Sequence, residues 1–119
     1  MNINHMHQIH HELDTWGRAL NYIQQENIHL KTRLAQIIKN GIDDRLLEQV
    51  EYFQSQFLNK DAIIALLRQD IAKELKLNGE MADEQNQLKH EKLRRDMELM
   101  ENEFNRLKFD FNSYLTESL

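Results

Sequence analysis

The sequence predicts an all-α fold of three long antiparallel helices that pack as an elongated, coiled-coil-like bundle. Among the 119 residues there is no proline and there are only three glycines, so the residues that most strongly interrupt helices are scarce. Two of the glycines follow asparagine, at Asn40-Gly41 and Asn78-Gly79. They divide the chain into segments of about 36 residues, which is roughly 54 Å of helix each. Within each segment apolar residues recur every three or four positions, which is typical of an amphipathic helix. We therefore predict one domain over residues 1–119, with helices over 5–39, 43–77 and 80–116.

Both predicted turns have the chemistry of one helix ending and another beginning. Glycine readily adopts the left-handed conformation that commonly follows the last helical turn. After the first glycine, Asp43 and Asp44 are suitable N-cap residues. After the second, Glu80, Asp83 and Glu84 place negative charge in the first turn of the next helix. Turns this short between helices of similar length imply antiparallel neighbours.

The first helix is predicted to present one regular apolar seam with a single polar member, Asn27. A buried asparagine in such a seam often fixes the register between helices at some cost in stability. If the chain folds back at Gly41 and Gly79, Gln54 and Glu103 come to the level of Asn27. We therefore expect Asn27, Gln54 and Glu103 to form a structural polar layer. The seam consists of Met6, Ile9, Leu13, Trp16, Leu20, Ile23, Asn27, Leu30, Leu34 and Ile37.

The second helix is the most apolar, and its apolar residues extend beyond one stripe. Lys60 and Asp61 interrupt the main stripe at its midpoint, which we interpret as an ion-paired notch. A helix that is apolar over more than one stripe contacts more than one partner, so we expect this helix to be the most buried. The main stripe is Leu46, Val50, Phe53, Phe57, Ile64, Leu67, Ile71 and Leu75, widened by Leu47, Leu58, Ile63, Leu66 and Ala72.

The third helix has a clean apolar seam only from Leu93 onward. Residues 80–92 contribute only Met81 and Leu88, so we expect this stretch to be loosely held. Toward the C-terminus two apolar residues fall outside the seam, and exposed apolar patches beside a seam typically mark an oligomer or partner contact. We therefore predict a partner interface formed by Phe104, Phe109, Phe111, Tyr114 and Leu115.

The N-terminal histidines come closest to a chemical signature. His7 and His11 are four residues apart, so both imidazoles project from one helix face at a spacing that suits a metal ion. Folding about the two turns brings Asp83 and Glu84 to the same level, where a carboxylate would complete the site. One interpretation is thus a zinc, nickel or iron site formed by His7, His11, Asp83 and Glu84. The other is that the histidines are frayed surface residues.

Composition excludes several classes of function. A net charge of −5 argues against general nucleic-acid binding, which depends on Lys and Arg. No segment approaches the roughly 18 to 20 apolar residues of a membrane span, no phosphate-binding loop or His-Glu-x-x-His motif occurs, and there is no cysteine. We therefore expect a cytoplasmic, non-enzymatic interaction or scaffolding module without a cofactor, which self-associates as a homodimer or binds a partner protein. The alternatives are a metal-binding or metal-sensing bundle and a nucleic-acid-associated regulator whose basic face forms in a dimer.

Overall fold

The computed structural model consists of three long helices and confirms the predicted all-α class. It describes residues 3–77 and 84–118, with side chains over 7–77 and 85–118. Helix α1 is Ile3–Lys39, α2 is Leu47–Leu77 and α3 is Glu84–Ser118. One turn of 3₁₀ helix, Asp44–Leu46, precedes α2, and the described ranges contain no strand. The bundle is elongated, with extents of 60 × 20 × 19 Å. The predicted start of the third helix at residue 80 lies outside the described residues.

The turn after α1 is built by a glycine and a capping aspartate. Gly41 has a φ of +94°, in the left-handed region that favours glycine, and its N–H donates to the carbonyl of Ile38 at 3.2 Å. Asp43 then caps the 3₁₀ turn, because its carboxylate accepts from the backbone N–H of Arg45 at 3.0 Å. These are the roles predicted for Gly41 and Asp43. The second predicted turn, at Asn78-Gly79, lies outside the described residues.

A single hydrophobic core runs along the bundle, and each helix contributes one seam to it. The α1 seam is buried or half-buried from Ile9 to Ile37 as predicted, and the α3 seam from Leu93 to Tyr114 likewise. Burying side chains from three helices removes a large apolar area from water, at roughly 25 cal/mol per Å². The buried apolar residues are Leu13, Leu20, Ile23, Leu30, Leu34, Val50, Phe53, Phe57, Ile64, Leu67, Ile71, Leu93, Met97, Met100, Phe104, Leu107 and Phe111.

Helix α2 buries its main stripe but not the residues that were expected to widen it. Its main stripe from Val50 to Ile71 faces the core, but the residues that widen the stripe do not. Leu47, Leu58 and Leu66 are exposed, as is Ala72, and only Ile63 is half-buried. A helix in a three-helix bundle touches two neighbours along one arc of its surface, and the second stripe lies beyond that arc.

Polar pairs define how the helices face one another. Between α1 and α2, Asn21 pairs with Arg68 and Lys31 with Asp61, so rising numbers on α1 meet falling numbers on α2. Between α1 and α3 the order is the same on both helices. Those pairs are Glu12 with Arg94, Glu26 with Lys108, and Arg33 with Asn112.

None of the helices in the described ranges combines the length and the hydrophobicity that crossing a membrane requires.

Candidate functional site

The candidate site is centred on a histidine of α3 that contacts both of the other helices. His90, in the first turns of α3, is only 6% exposed. Its Nδ1 lies 2.7 Å from Oε2 of Glu74 in α2, and its Nε2 lies 3.1 Å from Oε1 of Glu12 in α1. Both ring nitrogens therefore face carboxylate oxygens. We call Glu12, Glu74, His90 and Arg94 the His90 cluster.

Arg94 completes the cluster by holding Glu12. Its Nε and Nη2 donate to Oε2 of Glu12 at 3.0 Å and 2.8 Å, and Nη2 also reaches Oε1 at 2.9 Å. Forked contacts of this kind are the strong form of an arginine–carboxylate pair. Burial acts to raise the pKa of Glu12, but the hydrogen bonds from Arg94 and His90 outweigh it, and the pKa is lowered. Glu12 is accordingly a carboxylate at neutral pH.

An aromatic ring and a cavity border the cluster. The ring of Trp16 lies 5.0 Å from that of His90, tilted by 32°, and shields one face of the imidazole. A cavity of about 760 Å³ adjoins the other side, with Glu12, Glu74, His90 and Arg94 in its wall. Lysines such as Lys73 also line this cavity. Its wall therefore carries both positive and negative charge, and neither sign predominates.

The predicted polar layer forms around Asn27, but with different partners. Asn27 is fully buried, and its Nδ2 donates to the carbonyl of Phe57 at 3.0 Å and to Oδ1 of Asp61 at 2.8 Å. The other oxygen of Asp61 accepts from Lys31 at 2.6 Å. Gln54, expected in this layer, is exposed. The polar contacts of Asn27 therefore lie about one and two helical turns along α2 from the expected level.

Glu103, the third expected member of the layer, pairs with a buried lysine. Lys60 is only 4% exposed and occupies the position in the α2 seam between Phe57 and Ile64. Its Nζ donates to Oε2 of Glu103 at 3.3 Å. The apolar stem of a lysine can line a core while its ammonium reaches the rim. Lys60 and Asp61 thus point to different neighbours, since Asp61 bonds to α1 and Lys60 to α3.

The structure covers the predicted metal ligands only in part. His7 and His11 are exposed on α1, Asp83 lies outside the described residues, and Glu84 begins α3 with its side chain outside them. Within the part of the chain that the structure describes, no group of three His, Cys, Asp or Glu side chains is arranged to hold a metal ion. The zinc, nickel or iron site therefore stays a prediction.

The predicted aromatic interface is mostly turned inward. Phe104 and Phe111 are fully buried, and Phe111 packs edge-on against Phe57 with ring centroids 5.1 Å apart. Tyr114 and Leu115 are half-buried against the core. Only Phe109, at 69% exposure, offers its side chain to solvent. In this structure four of the five residues stabilise the bundle itself.

A second feature is a surface of α1 and α2 that lacks charge. The exposed residues of 19–38 and 52–67 include no Asp, Glu, Lys or Arg; we call them the uncharged surface. The exposed Arg68 borders this surface through its hydrogen bond to Asn21. The charged side chains in these stretches are half-buried or buried and paired, as in Lys31–Asp61 and Glu26–Lys108. Charged residues are instead common on the exposed side of α3, at Lys89, Glu91, Lys92, Arg95, Glu98, Glu103, Arg106 and Glu117.

The uncharged surface combines protruding apolar residues with small ones. Leu58, Ala62 and Leu66 are four residues apart on α2 and share one face, with Ala65 beside them. Ile28 of α1 is also exposed, and it follows Asn27, whose amide bonds to the backbone of Phe57. Small residues let a second helix approach closely, and leucines beside them can pack into it.

Sequence reasoning missed the His90 cluster. The signal was present for His90, because a step of three back from Leu93 continues the α3 seam to position 90. No signal in one sequence identifies Glu12, Glu74 and Arg94 as its companions, since their meeting depends on the register of three helices. The uncharged surface could have been noticed from the apolar residues outside the α2 seam.

Comparison with protein-family models, with curated proteins and with solved structures finds no match to this chain.

Proposed function

We propose that this protein is a non-enzymatic helical interaction module that forms a homodimer through the uncharged surface of α1 and α2. The observation that carries the proposal is the segregation of charge: exposed charged residues crowd α3 and are missing from the exposed positions of 19–38 and 52–67. A solvated helix face ordinarily carries charged residues, so two neighbouring faces without them are suited to contact with protein.

A second copy is the occupant that the charges favour. In a two-fold symmetric dimer the same patch meets itself, so a charged side chain near the two-fold axis faces its own copy. Because the chain has a net charge of −5, a charged face would oppose self-association, whereas the uncharged surface does not. The polar pairs between α1 and α2 support an antiparallel arrangement of these two helices, which leaves them side by side on this surface.

The size of the surface is consistent with a weak but specific dimer. Twenty residues of α1 span about 30 Å, and the bundle is 20 Å wide. The flat area is thus about 600 Å² on each partner, at the lower end of specific protein interfaces. We therefore expect a dissociation constant on the order of micromolar.

The proposal is tested by the oligomeric state of the full chain at about 100 µM, roughly a hundredfold above the expected dissociation constant. Sedimentation equilibrium should give a dimer. Leu58→Glu and Leu66→Glu place charge at the centre of the surface and should each shift the equilibrium to monomer. Matched controls lie on α3: Leu99 is 57% exposed where Leu58 is 56%, and Leu88 and Leu66 are both 60% exposed.

Leu99→Glu and Leu88→Glu should leave the dimer intact. A wild-type monomer at this concentration would show that the surface does not bind a second copy. A dimer that is lost in the α3 variants but kept in the α2 variants would place the interface elsewhere.

A further inference from the structure

The contacts of His90 require an extra proton. A hydrogen bond between a ring nitrogen and a carboxylate oxygen needs one hydrogen between them, and His90 makes two such contacts, to Glu74 and to Glu12. A neutral imidazole carries only one N–H, whereas ionised carboxylates only accept. With both contacts made, the cluster therefore holds one proton more than a neutral imidazole and two carboxylates hold in water.

The surroundings indicate where this proton lies. Arg94 donates three hydrogen bonds to Glu12, which favours the ionised form of the Glu12 carboxyl group. Among the described residues no lysine or arginine pairs with Glu74, and its Oε1 is buried there without a hydrogen-bond partner. The proton is consequently shared between His90 and Glu74, either as an imidazolium beside a carboxylate or as an imidazole beside a carboxylic acid.

The stretch of α3 that carries His90 contributes none of its described residues to the hydrophobic core. Among the described side chains of residues 85–92, His90 is the only buried one, and Leu88 is exposed. The apolar seam begins at Leu93 and continues to the C-terminal end of the helix. Attachment of this first part of α3 to α1 and α2 thus depends on polar contacts, with the His90 cluster as their buried part.

We propose that the His90 cluster attaches residues 84–92 of α3 to α1 and α2 in a proton-dependent way. The segment stays packed against the two helices while the cluster carries the extra proton, and it detaches as the pH rises. Once the proton is lost, one ring nitrogen presents a lone pair to a carboxylate oxygen, and the contact becomes repulsive. Exposing the segment to water removes this repulsion between the ring nitrogen and the carboxylate. The core from Leu93 onward keeps the rest of the bundle packed.

Other charged groups lie near the His90 ring, but the two carboxylates remain its hydrogen-bond partners. Glu12 faces His90 from α1 and Glu74 faces it from α2, and both lie within hydrogen-bond distance. Histidine is the side-chain type whose charge ordinarily changes between about pH 5 and 8. The remaining charged residues that α2 and α3 contribute to the cavity wall, besides Glu74 and Arg94, are Asp70, Lys73, Lys76, Lys89, Glu91, Lys92 and Asp96.

The test is amide hydrogen exchange on the full chain between pH 6 and pH 8, corrected for the intrinsic pH dependence of exchange. Linkage to one proton changes an opening equilibrium by at most about tenfold per pH unit. We expect protection of residues 85–92 to fall by at least about tenfold over this range, while protection of residues 97–111 changes by less than about twofold. Equal behaviour of the two segments would overturn the proposal.

Two variants of the cluster and one control make the test specific. His90→Gln should lower protection of residues 85–92 and remove its pH dependence. Glu74→Gln supplies an amide N–H to a neutral imidazole, so the segment should stay protected at pH 8. His10→Gln removes an exposed histidine of α1 and should leave the wild-type pH dependence unchanged. The same loss of protection in wild type and Glu74→Gln would show that the extra proton is not what fastens the segment.

Discussion

Replacing Asn27, the polar residue of the α1 seam, tests how the interior of the bundle is stabilised. The Asn27 amide donates to the Phe57 carbonyl and to the Asp61 carboxylate at 3.0 Å and 2.8 Å. The first bond contributes about 1 kcal/mol and the second, to a charged acceptor, about 1.5–3 kcal/mol. Asn27→Ala removes both and leaves a small cavity. We expect it to lower the free energy of unfolding by about 3–4 kcal/mol.

A leucine at the same position separates hydrogen bonding from packing. Asn27→Leu loses the same two bonds, but burial of the new side chain contributes about 2 kcal/mol, so the net loss should be only about 1–2 kcal/mol. Urea unfolding at pH 7 measures both variants, at one protein concentration because dimerisation would stabilise the folded state. Asn105→Ala, an exposed site on α3, should stay within about 0.5 kcal/mol of wild type. If Asn27→Ala proved no worse than Asn27→Leu, or fell within about 1 kcal/mol of wild type, the hydrogen bonds of Asn27 would not stabilise the core.

Three further predictions concern single positions. A Cβ added at Gly17 meets nothing within 4 Å, so Gly17→Ala should raise stability by about 0.5–1 kcal/mol, seen as a higher Tm; an unchanged or lower Tm contradicts this. Lys60 is buried with Glu103 as its ion-pair partner, and Lys60→Met should be neutral or stabilising by about 1–2 kcal/mol in urea unfolding; a clear loss would show that the ion pair stabilises the bundle. The pKa of Glu12 is lowered from its ordinary value of 4.5, so the ionised carboxylate stabilises the fold at pH values above 4.5. This stabilisation is lost as the pH falls below 4.5. Glu12→Gln should therefore be less stable than wild type at pH 7, and the difference should shrink in acid; a difference that does not depend on pH would refute the role of its charge.

The parts of the fold that depend on local sequence could be predicted. The scarcity of helix breakers and the period of the apolar residues identified three helices, and the end of the first helix at Lys39 agrees with the structure. The glycine at position 41 and the aspartate at position 43 have the backbone roles expected of them. Each of these features depends on residues within a few positions of one another, which is why the chain itself reveals them.

The polar sites were harder to predict because they depend on register. The fold-back estimate placed Gln54 beside Asn27, but the observed partners are Phe57 and Asp61. An error of one to two helical turns, about 5–11 Å, is enough to exchange one set of side chains for another. The His90 cluster depends on two registers at once, that of α1 against α3 and that of α2 against α3. An error in either register would separate its members.

The sequence by itself therefore determined that this protein is three long amphipathic helices, because helix propensity, termination and periodicity are local properties. Only the tertiary structure decided which apolar residues of α2 are left in solvent and which carboxylates meet His90. The physical reason is that burial and ion pairing depend on the helices a residue faces across the bundle. One apolar stripe of α2 faces two neighbours and is buried, whereas Leu58 and Leu66, outside that stripe, face water and form part of the uncharged surface.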